Sequence, residues 1–324
     1  MTLSALAAGL AAHPSILGKL DIAQATRGLG LTGSSTGQPG DDAAALPRPD
    51  GGWDLFAAEG FIPAFVADDP WFAGWCGVMV NLSDIAAMGG RATAITDMIW
   101  APDVHSAAPL LAGLTQAARA YGVPIVGGHT NLHAPALNLA VAVTGRADAM
   151  ISGFAARPGD ALIAAVDLRG GWRPRFDNWF AAADASPARL QGDLALLADL
   201  AEAGLVRAGK DISQGGIVGT SLMLAECSAC GFEIDLAAVP MPAGSDPARW
   251  LCAFPSFGFL LSVAPDVAAQ VCARFAARDL AAAVIGHATV GSAINLIQGT
   301  ERAQFWDWQA RPYLGLHAKE VSHA

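Results

Sequence analysis

The apolar and polar residues of the chain form alternating segments of two kinds, which predict helices and strands over nearly its whole length. The segment 72–88 has a helical pattern and is almost wholly apolar, and Gly89-Gly90 after it is typical of a helix C-terminus. The segment 138–145 alternates, as a half-buried strand does. Further helices are predicted over 3–10, 15–27, 107–120, 187–203, 217–230 and 268–278, and further strands over 53–58, 93–100, 123–126, 161–166, 232–236, 257–263 and 282–285.

A turn at 157–160 (Arg-Pro-Gly-Asp) separates two similar series of elements. A new strand begins directly after it, while the composition barely changes across it. The boundary therefore depends on the turn and on the restart of the pattern. The sequence predicts an α/β or α+β protein with two domains, 1–152 and 153–324.

Composition narrows the class of protein. Hydrophobic residues make up 53% of the chain and charged residues 15%, which favours a sizeable core and argues against disorder. The net charge of −10 argues against a nucleic-acid binder, which needs clustered cations. The apolar N-terminus lacks the basic residues of a signal peptide, no long run is typical of a membrane span, and the five cysteines have no disulfide-like spacing. We expect a cytoplasmic protein.

Carboxylates occur at two places where a folded chain would ordinarily avoid them. Asp41 and Asp42 are adjacent and precede an apolar run; taken alone, a solvated turn is the favoured interpretation and a metal site the alternative. Asp84 lies inside an otherwise apolar predicted helix, where an unpaired carboxylate is costly. A metal ion is the favoured partner there, and a backbone amide or Arg91 the alternative.

Other polar residues lie close to predicted element ends. Glu59 ends one predicted strand, and the segment 127–131 (Gly-Gly-His-Thr-Asn) ends another; strand ends commonly carry functional side chains. His129 has three interpretations: a metal ligand, a phosphate contact or an ordinary loop histidine. Taken alone, it is best interpreted as an ordinary loop histidine. Asn81 and Ser83 add hydrogen-bonding capacity beside Asp84.

The segment 211–216 (Asp-Ile-Ser-Gln-Gly-Gly) precedes a predicted helix. Glycine amides at a helix N-terminus form a phosphate site, but a plain N-cap explains the same residues. The preceding 204–210 fits most of a P-loop, yet Asp211 stands where a Ser or Thr should bind Mg²⁺, so that match is interpreted as chance. Oxygen ligands without paired Cys or His favour Mg²⁺ over zinc, and carboxylates with glycine loops suit a Mg²⁺-bridged nucleoside triphosphate.

These segments, in this order, resemble motifs of the aminoimidazole ribonucleotide synthase superfamily, over roughly residues 37–290. That superfamily also contains thiamine-phosphate kinase, selenophosphate synthetase, formylglycinamidine ribonucleotide synthase and a hydrogenase maturation dehydratase. The segment 81–90 (Asn-Leu-Ser-Asp-Ile-Ala-Ala-Met-Gly-Gly) is similar to its most distinctive motif at almost every position. Further segments similar to motifs of the superfamily are Gly-Asp-Asp-Ala-Ala-Ala-Leu at 40–46, Gly-Gly-His-Thr at 127–130, Arg-Pro-Gly-Asp at 157–160, and the segment 211–216 quoted above. The segments 71–76 and 250–257 resemble a less characterised synthase-related group within it.

The resemblance implies a two-domain synthase-like fold. The N-terminal domain would form a β-barrel with a second subunit, giving a homodimer, and the C-terminal domain would be an α/β layer. ATP would be held through Mg²⁺ by Asp41, Asp42 and Asp84, and a small metabolite would be phosphorylated. The implied catalytic residues are Asp84, His129 and Asp211, and the implied nucleotide-site residues are Gly40, Asp41, Asp42, Glu59, Asn81, Ser83, Gly127, Gly128, Ser213 and Gly215.

Three positions depart from the family pattern. Glu59 stands close to where the kinase has an aspartate, His129 replaces an aspartate, and Gln214 replaces the second acid of the kinase's Asp-x-Ser-Asp-Gly motif. An ATP-dependent enzyme acting on a small molecule, with no nucleic-acid or membrane partner, is the favoured interpretation. Thiamine-phosphate kinase is one alternative. A scaffold that binds nucleotide or a partner protein without turnover is the other.

Overall fold

The computed structural model describes residues 2–317, so the last residues of the predicted second domain, 318–324, lie outside the described residues. The helices are α1 (Leu3–Ala11), α2 (Pro14–Leu17), α3 (Ile22–Gly28), α4 (Pro63–Asp68), α5 (Pro70–Ala87), α6 (Val104–Tyr121), α7 (Pro187–Glu202), α8 (Gly216–Cys227), α9 (Pro247–Leu251) and α10 (Ala268–Ala276). The strands are β1 (Ala44–Pro47), β2 (Trp53–Gly60), β3 (Arg91–Trp100), β4 (Ile125–Asn131), β5 (Asn138–Ala147), β6 (Ala161–Val166), β7 (Gly171–Trp172), β8 (Asn178–Phe180), β9 (Ala208–Asp211), β10 (Gly231–Asp235), β11 (Phe254–Pro255), β12 (Gly258–Val263), β13 (Ala281–Thr289), β14 (Ala293–Gln298) and β15 (Glu301–Asp307).

The backbone packs as two units, each of mixed α/β character. The smaller unit comprises Ala43–Met150 and Asp184–Asp199, and the larger unit comprises 2–42, Ile151–Ala183 and 200–317 among the described residues. The change of unit after Met150 lies beside the predicted boundary at 152. Residues 2–42, predicted within the first domain, pack with the later part of the chain instead.

The smaller unit is built on a five-stranded sheet with the order β1-β2-β5-β3-β4. Its neighbouring strands are antiparallel except β3 and β4, which are parallel. Period-two alternation buries one face, including Leu55, Ile95 and Val141, and α5 packs against β5, β2 and β3. Over the described residues this sheet is open, with β1 and β4 at its edges, so no barrel closes within one chain.

Two glycines let α5 and α6 pack backbone to backbone. A Cβ added at Gly74 would clash with the carbonyl oxygen of Leu110, and a Cβ added at Gly113 would clash with that of Trp71. The almost wholly apolar sequence of α5 follows from this placement, because every residue of Phe72–Ala87 is buried. The long helix and its position in the core were both predictable from the sequence pattern.

The larger unit is built on a seven-stranded sheet with the order β15-β14-β10-β13-β6-β12-β9. Helix α1 packs against β14 and β15, and its side chains Leu6 and Leu10 join the same hydrophobic core as Phe232 and Trp306. Burial of these apolar side chains explains why residues 2–42 belong to this unit. A separate three-stranded sheet has the order β11-β8-β7.

The predictions of individual elements fail at a few places. The single helix predicted over 15–27 is broken into α2, a 3₁₀ turn at Gly18–Asp21 and α3. Strands β14 and β15, and the short strands β7 to β9 and β11, were not predicted, because short or mixed runs carry little periodicity. Across residues 2–317, no helix is both long enough and apolar enough to cross a bilayer.

A buried glutamate fixes the last described turn of the larger unit. Glu226, near the end of α8, is fully buried, and its carboxylate accepts hydrogen bonds from the backbone amides of Tyr313, Leu314 and Gly315 at distances of 2.6 to 3.2 Å. Amide donors of this kind stabilise an ionised carboxylate that lacks water. The segment after β15 is thereby attached to α8.

Candidate functional site

Asp41 lies in a cradle of neutral donors in the larger unit. Its carboxylate accepts hydrogen bonds from Ser152 Oγ at 2.9 Å and from the backbone amide of Gly153 at 2.5 Å. Ser228 Oγ in turn donates to the carbonyl of Gly153 at 2.7 Å and so holds this turn in place. The side chain of Asp41 is therefore fixed by residues that follow the change of unit.

Asp42 is held by two consecutive residues of β9. Lys210 Nζ lies 2.7 Å from Asp42 Oδ1, and the backbone amide of Asp211 donates to Asp42 Oδ2 at 3.1 Å. Lys210 Nζ also donates to the carbonyl of Gly40 at 2.6 Å. The side chains of Lys210 and Asp42 are only 3% and 9% exposed. The interpretation as a solvated turn is therefore wrong for the Asp42 side chain.

Burial and neighbouring charges have opposite effects on the pKa of Asp41, and also on the pKa of Lys210. Burial raises the pKa of Asp41 to about 6, against the lowering effects of Lys210 and of the bonds from Ser152 and Gly153. Burial alone would lower the pKa of Lys210, but the neighbouring Asp42 and other acidic groups raise it above its ordinary value. The Asp41 carboxyl is thus protonated more readily than an exposed aspartate, and a positive charge beside it favours its ionised form.

Gly40 occupies a position that only glycine fits. Its φ is +113°, and an added Cβ would lie 2.9 Å from the ring of Phe154 and 3.2 Å from Cys227 Sγ. The Cys227 thiol donates to the carbonyl of Gly40 at 3.6 Å, and burial raises its pKa to about 12. The thiol is therefore neutral, and it packs against the aspartate-bearing loop.

The segment 211–216, predicted as a phosphate site before a helix, has a different geometry from the one expected. Asp211 is buried at the end of β9, not in the loop, and its carbonyl accepts a bond from Thr220 Oγ1 at 3.4 Å. The N-cap of α8 is Gly215, with a φ of +101° and no side-chain cap, so the plain Asp or Ser N-cap is wrong. Lys19 Nζ donates to Ser213 Oγ at 3.3 Å, a contact that no sequence motif indicated.

In the smaller unit, Asn81, Ser83 and Asp84 lie on buried turns of α5. Asn81 Nδ2 donates to the carbonyl of Gly77 at 2.8 Å, and Ser83 Oγ donates to that of Met79 at 3.1 Å. Among the described residues, Asn81 Oδ1 is a buried acceptor with no hydrogen-bond donor. Asp84 is 6% exposed, so its predicted burial is confirmed.

The sequence pattern predicts that the glycines and histidine of 127–129 follow a strand. In the structure they lie within β4 instead. Gly128 pairs with Asp97 in the parallel ladder, and a Cβ at Gly128 would clash with the backbone carbonyl of Asp97. Asp97 and Glu59 both pair with Val141 of β5, so the two acids lie in one row across the sheet. Burial raises the pKa of Asp97. Asp97 was missed because it lies in the middle of a predicted strand.

The structure therefore assembles the predicted residues in two sets. Asp41 and Asp42 belong to the larger unit, together with Asp211, Ser213 and Gly215. Over the part of the chain that the structure describes, no group of three or more His, Cys, Asp or Glu side chains is arranged to hold a metal ion. The set in the smaller unit comprises Glu59, Asn81, Ser83, Asp84, Gly127, Gly128 and His129.

Known proteins resemble this chain over most of its length. An uncharacterized protein of Synechocystis is 47% identical over 277 residues, which are 85% of this chain and 86% of that protein. The thiamine-monophosphate kinase of Halobacterium salinarum is 30% identical over 220 residues, which are 66% of this chain and 73% of the kinase.

The structure of T. maritima PurL complexed with AMPPCP superimposes with a TM-score of 0.70 at 20% identity, over 85% of this chain and 46% of PurL. This chain thus spans about half the length of that protein, and the likeness shows a shared fold. The sequence profile of the AIR synthase related protein matches residues 40–147 with its N-terminal domain and residues 157–298 with its C-terminal domain. The chain belongs to the AIR synthase related protein family.

Proposed function

We propose that this protein is an ATP- and Mg²⁺-dependent enzyme that activates a small metabolite by transferring a phosphoryl group to it. The observation that carries the proposal is the half-buried Asp41–Asp42 pair, whose four carboxylate oxygens are oriented by donors from two other segments of the larger unit. Family membership supports the same chemistry, since relatives include a thiamine-monophosphate kinase and a selenide, water dikinase. A cytoplasmic homodimer is part of the proposal.

The donor set fits Mg²⁺ in its chemistry. The proposed ligands Asp41, Asp42 and Asp84 offer only carboxylate oxygens, which hard divalent cations prefer. Asp41 has a pKa raised to about 6 by burial and is bonded by neutral donors, so a bound cation would lower the cost of ionising it. Bound Mg²⁺ would neutralise phosphate charge during transfer.

The remaining residues have proposed roles in positioning. Gly40, Glu59, Asn81, Ser83, Gly127 and Gly128 would surround the nucleotide phosphates and their Mg²⁺, to which the unsatisfied Asn81 Oδ1 would offer an oxygen ligand. His129 would stabilise developing charge on phosphate. Asp211, Ser213 and Gly215 would contact the acceptor, and Lys19, bonded to Ser213, adds a cation that suits an anionic acceptor. Catalysis would depend on positioning and charge neutralisation, not on a protein nucleophile.

The open face of the smaller sheet supports the proposed dimer. Phe56 is 51% exposed, and its cross-strand neighbour Thr144 and the pair Ala58 and Ala142 lie on the same face. Small and apolar side chains on an uncovered sheet face are suited to burial against a second sheet. We propose that a second copy of the chain covers this face and completes an intersubunit barrel.

Isothermal titration of the full chain with ATP in the presence of Mg²⁺ tests the proposal. We expect micromolar to millimolar binding that Asp84→Asn weakens by at least tenfold, while the surface variant Arg302→Ala, at a side chain that is 59% exposed, binds as the wild type does. Absence of binding at millimolar nucleotide, or full binding by Asp84→Asn, would contradict the site.

Turnover distinguishes the alternatives. The likeness to thiamine-monophosphate kinase makes thiamine phosphate the first acceptor to test, by ³¹P NMR detection of thiamine diphosphate. A panel of other small anionic acceptors follows, with ADP release as the measurement. ATP binding without ADP release across the panel would support the scaffold interpretation, which the replacements at His129 and Gln214 favour.

A further inference from the structure

The Lys210 ammonium is the feature of the candidate site that the sequence motifs left unexplained. It lies in β9, is almost wholly buried, and bonds to both the Gly40 carbonyl and Asp42 Oδ1. Because Nζ is enclosed by these partners and the side chain is 3% exposed, Lys210 is poorly placed to receive a nucleotide phosphate as a P-loop lysine does. The resemblance of 204–210 to a P-loop therefore does not describe its role.

The two adjacent aspartates differ in the charge that opposes them. Asp42 forms an ion pair with Lys210 at 2.7 Å. It also accepts a hydrogen bond from the backbone amide of Asp211, the next residue of β9. Within the described residues, the hydrogen bonds to Asp41 come from a hydroxyl and an amide, which carry no net charge. Asp42 is thus ion-paired directly, whereas Lys210 acts on Asp41 only through space, without a hydrogen bond.

We infer that Lys210 is a positioning residue, which neutralises Asp42 and fixes the 40–42 loop, so that Asp41 is the member of the pair on which divalent-cation binding chiefly depends. The protein ammonium takes the place that an additional metal ion would otherwise fill beside Asp42. This inference rests on the proposed function for its metal-binding half. Its structural half, the dependence of Asp42 on Lys210, stands on the geometry alone.

A double-mutant cycle tests the structural half. Lys210→Met leaves Asp42 buried without its cation, whereas the double variant Lys210→Met/Asp42→Asn removes both charges together. We expect the midpoint of urea unfolding to fall strongly in Lys210→Met and to recover in the double variant by at least half of that loss. Additive effects of the two substitutions, with no recovery, would overturn the pairing.

Mn²⁺ binding, followed by electron paramagnetic resonance of the free ion, tests the metal half in the folded variants. We expect Asp41→Asn to weaken Mn²⁺ binding at least tenfold more than Asp42→Asn does, and the double variant to bind Mn²⁺ about as Asp42→Asn does. A merely structural lysine would not produce this difference between neighbouring aspartates. Equal losses in Asp41→Asn and Asp42→Asn would overturn the inference.

Failure of the proposed function has a different signature. If the wild-type chain binds neither Mn²⁺ nor ATP, the proposed function and the metal half of the inference are both wrong. Recovery of stability in Lys210→Met/Asp42→Asn would, in that case, still support the charge pairing. The two measurements therefore separate the two claims.

Discussion

The two acid-bearing regions of the molecule are held in opposite ways. The loop carrying Asp41 and Asp42 is bonded by residues 111 to 187 positions away along the chain. In α5, the polar side chains beside Asp84 bond to carbonyls four residues earlier in the same helix. The loop therefore depends on remote donors, whereas the helix supplies its own geometry and depends on what packs around it.

Packing of α5 gives the largest expected effect. Gly74→Ala places a methyl group against the carbonyl oxygen of Leu110, so α5 and α6 must separate. We expect a loss of about 3 kcal/mol in the free energy of unfolding, measured with urea. Gly9→Ala in α1 is the matched control, because nothing lies within 4 Å of its added Cβ, and it should be neutral or stabilising. Equal effects of the two substitutions would contradict the close packing.

The pH dependence of stability tests the loop. The pKa of Asp41 is about 6 in the folded protein, above its ordinary value of 3.8, so the folded state holds this proton more tightly. This contribution is fully present below about pH 4 and is lost as the pH rises through 6, a loss on the order of 3 kcal/mol. Urea unfolding between pH 4 and 7.5 should show wild type losing stability relative to Asp41→Asn. Parallel profiles would rule out the shift.

Two serine substitutions compare the regions directly. Ser152→Ala removes a hydroxyl bonded to the Asp41 carboxylate, and a bond to a charged group contributes about 1.5 kcal/mol. Ser83→Ala removes only a bond to a carbonyl of its own helix, so its effect should be close to zero. Both are measured by urea unfolding at pH 7.5. A larger loss in Ser83→Ala would reverse the comparison.

A surface ion pair gives the smallest expected effect on the free energy of unfolding. Arg91 lies 2.7 Å from Asp199, but both side chains are about half exposed, at 49% and 59%. Arg91→Ala should change the free energy of unfolding by less than about 0.5 kcal/mol, and added salt should reduce even that. A thermal melt at low and high salt measures it, and a change above about 1 kcal/mol would show that the pair is more than a solvated contact.

The sequence was most informative where structure is local. The burial of Asp84 within a long apolar helix followed from residues 72–88 alone, because helical periodicity is a short-range property. The glycine pair before His129 was placed after a strand instead of within it, since glycines are typical of turns as well as of closely approached strands.

Long-range structure could not be predicted in this way. No local pattern indicates that Lys210 bonds to Gly40 and Asp42, because those residues meet only when β9 joins its sheet. The membership of residues 2–42 in the larger unit depends likewise on the strands β14 and β15, which the pattern did not predict. The one signal in the sequence that Lys210 has an acidic partner was its position in an otherwise apolar segment next to an aspartate. This lysine was interpreted only as part of a chance match to a P-loop.

The packing of α1 against β15 has a consequence for synthesis on the ribosome. The strands of the smaller sheet all lie within 44–147, so they can pair as soon as that stretch has emerged. Helix α1 precedes this sheet in the chain, yet its packing surface on β15 is not complete until residue 307 has been translated. The apolar face of α1 therefore lacks its partner in the larger sheet while the intervening residues are synthesised, and the smaller sheet can form before the larger one.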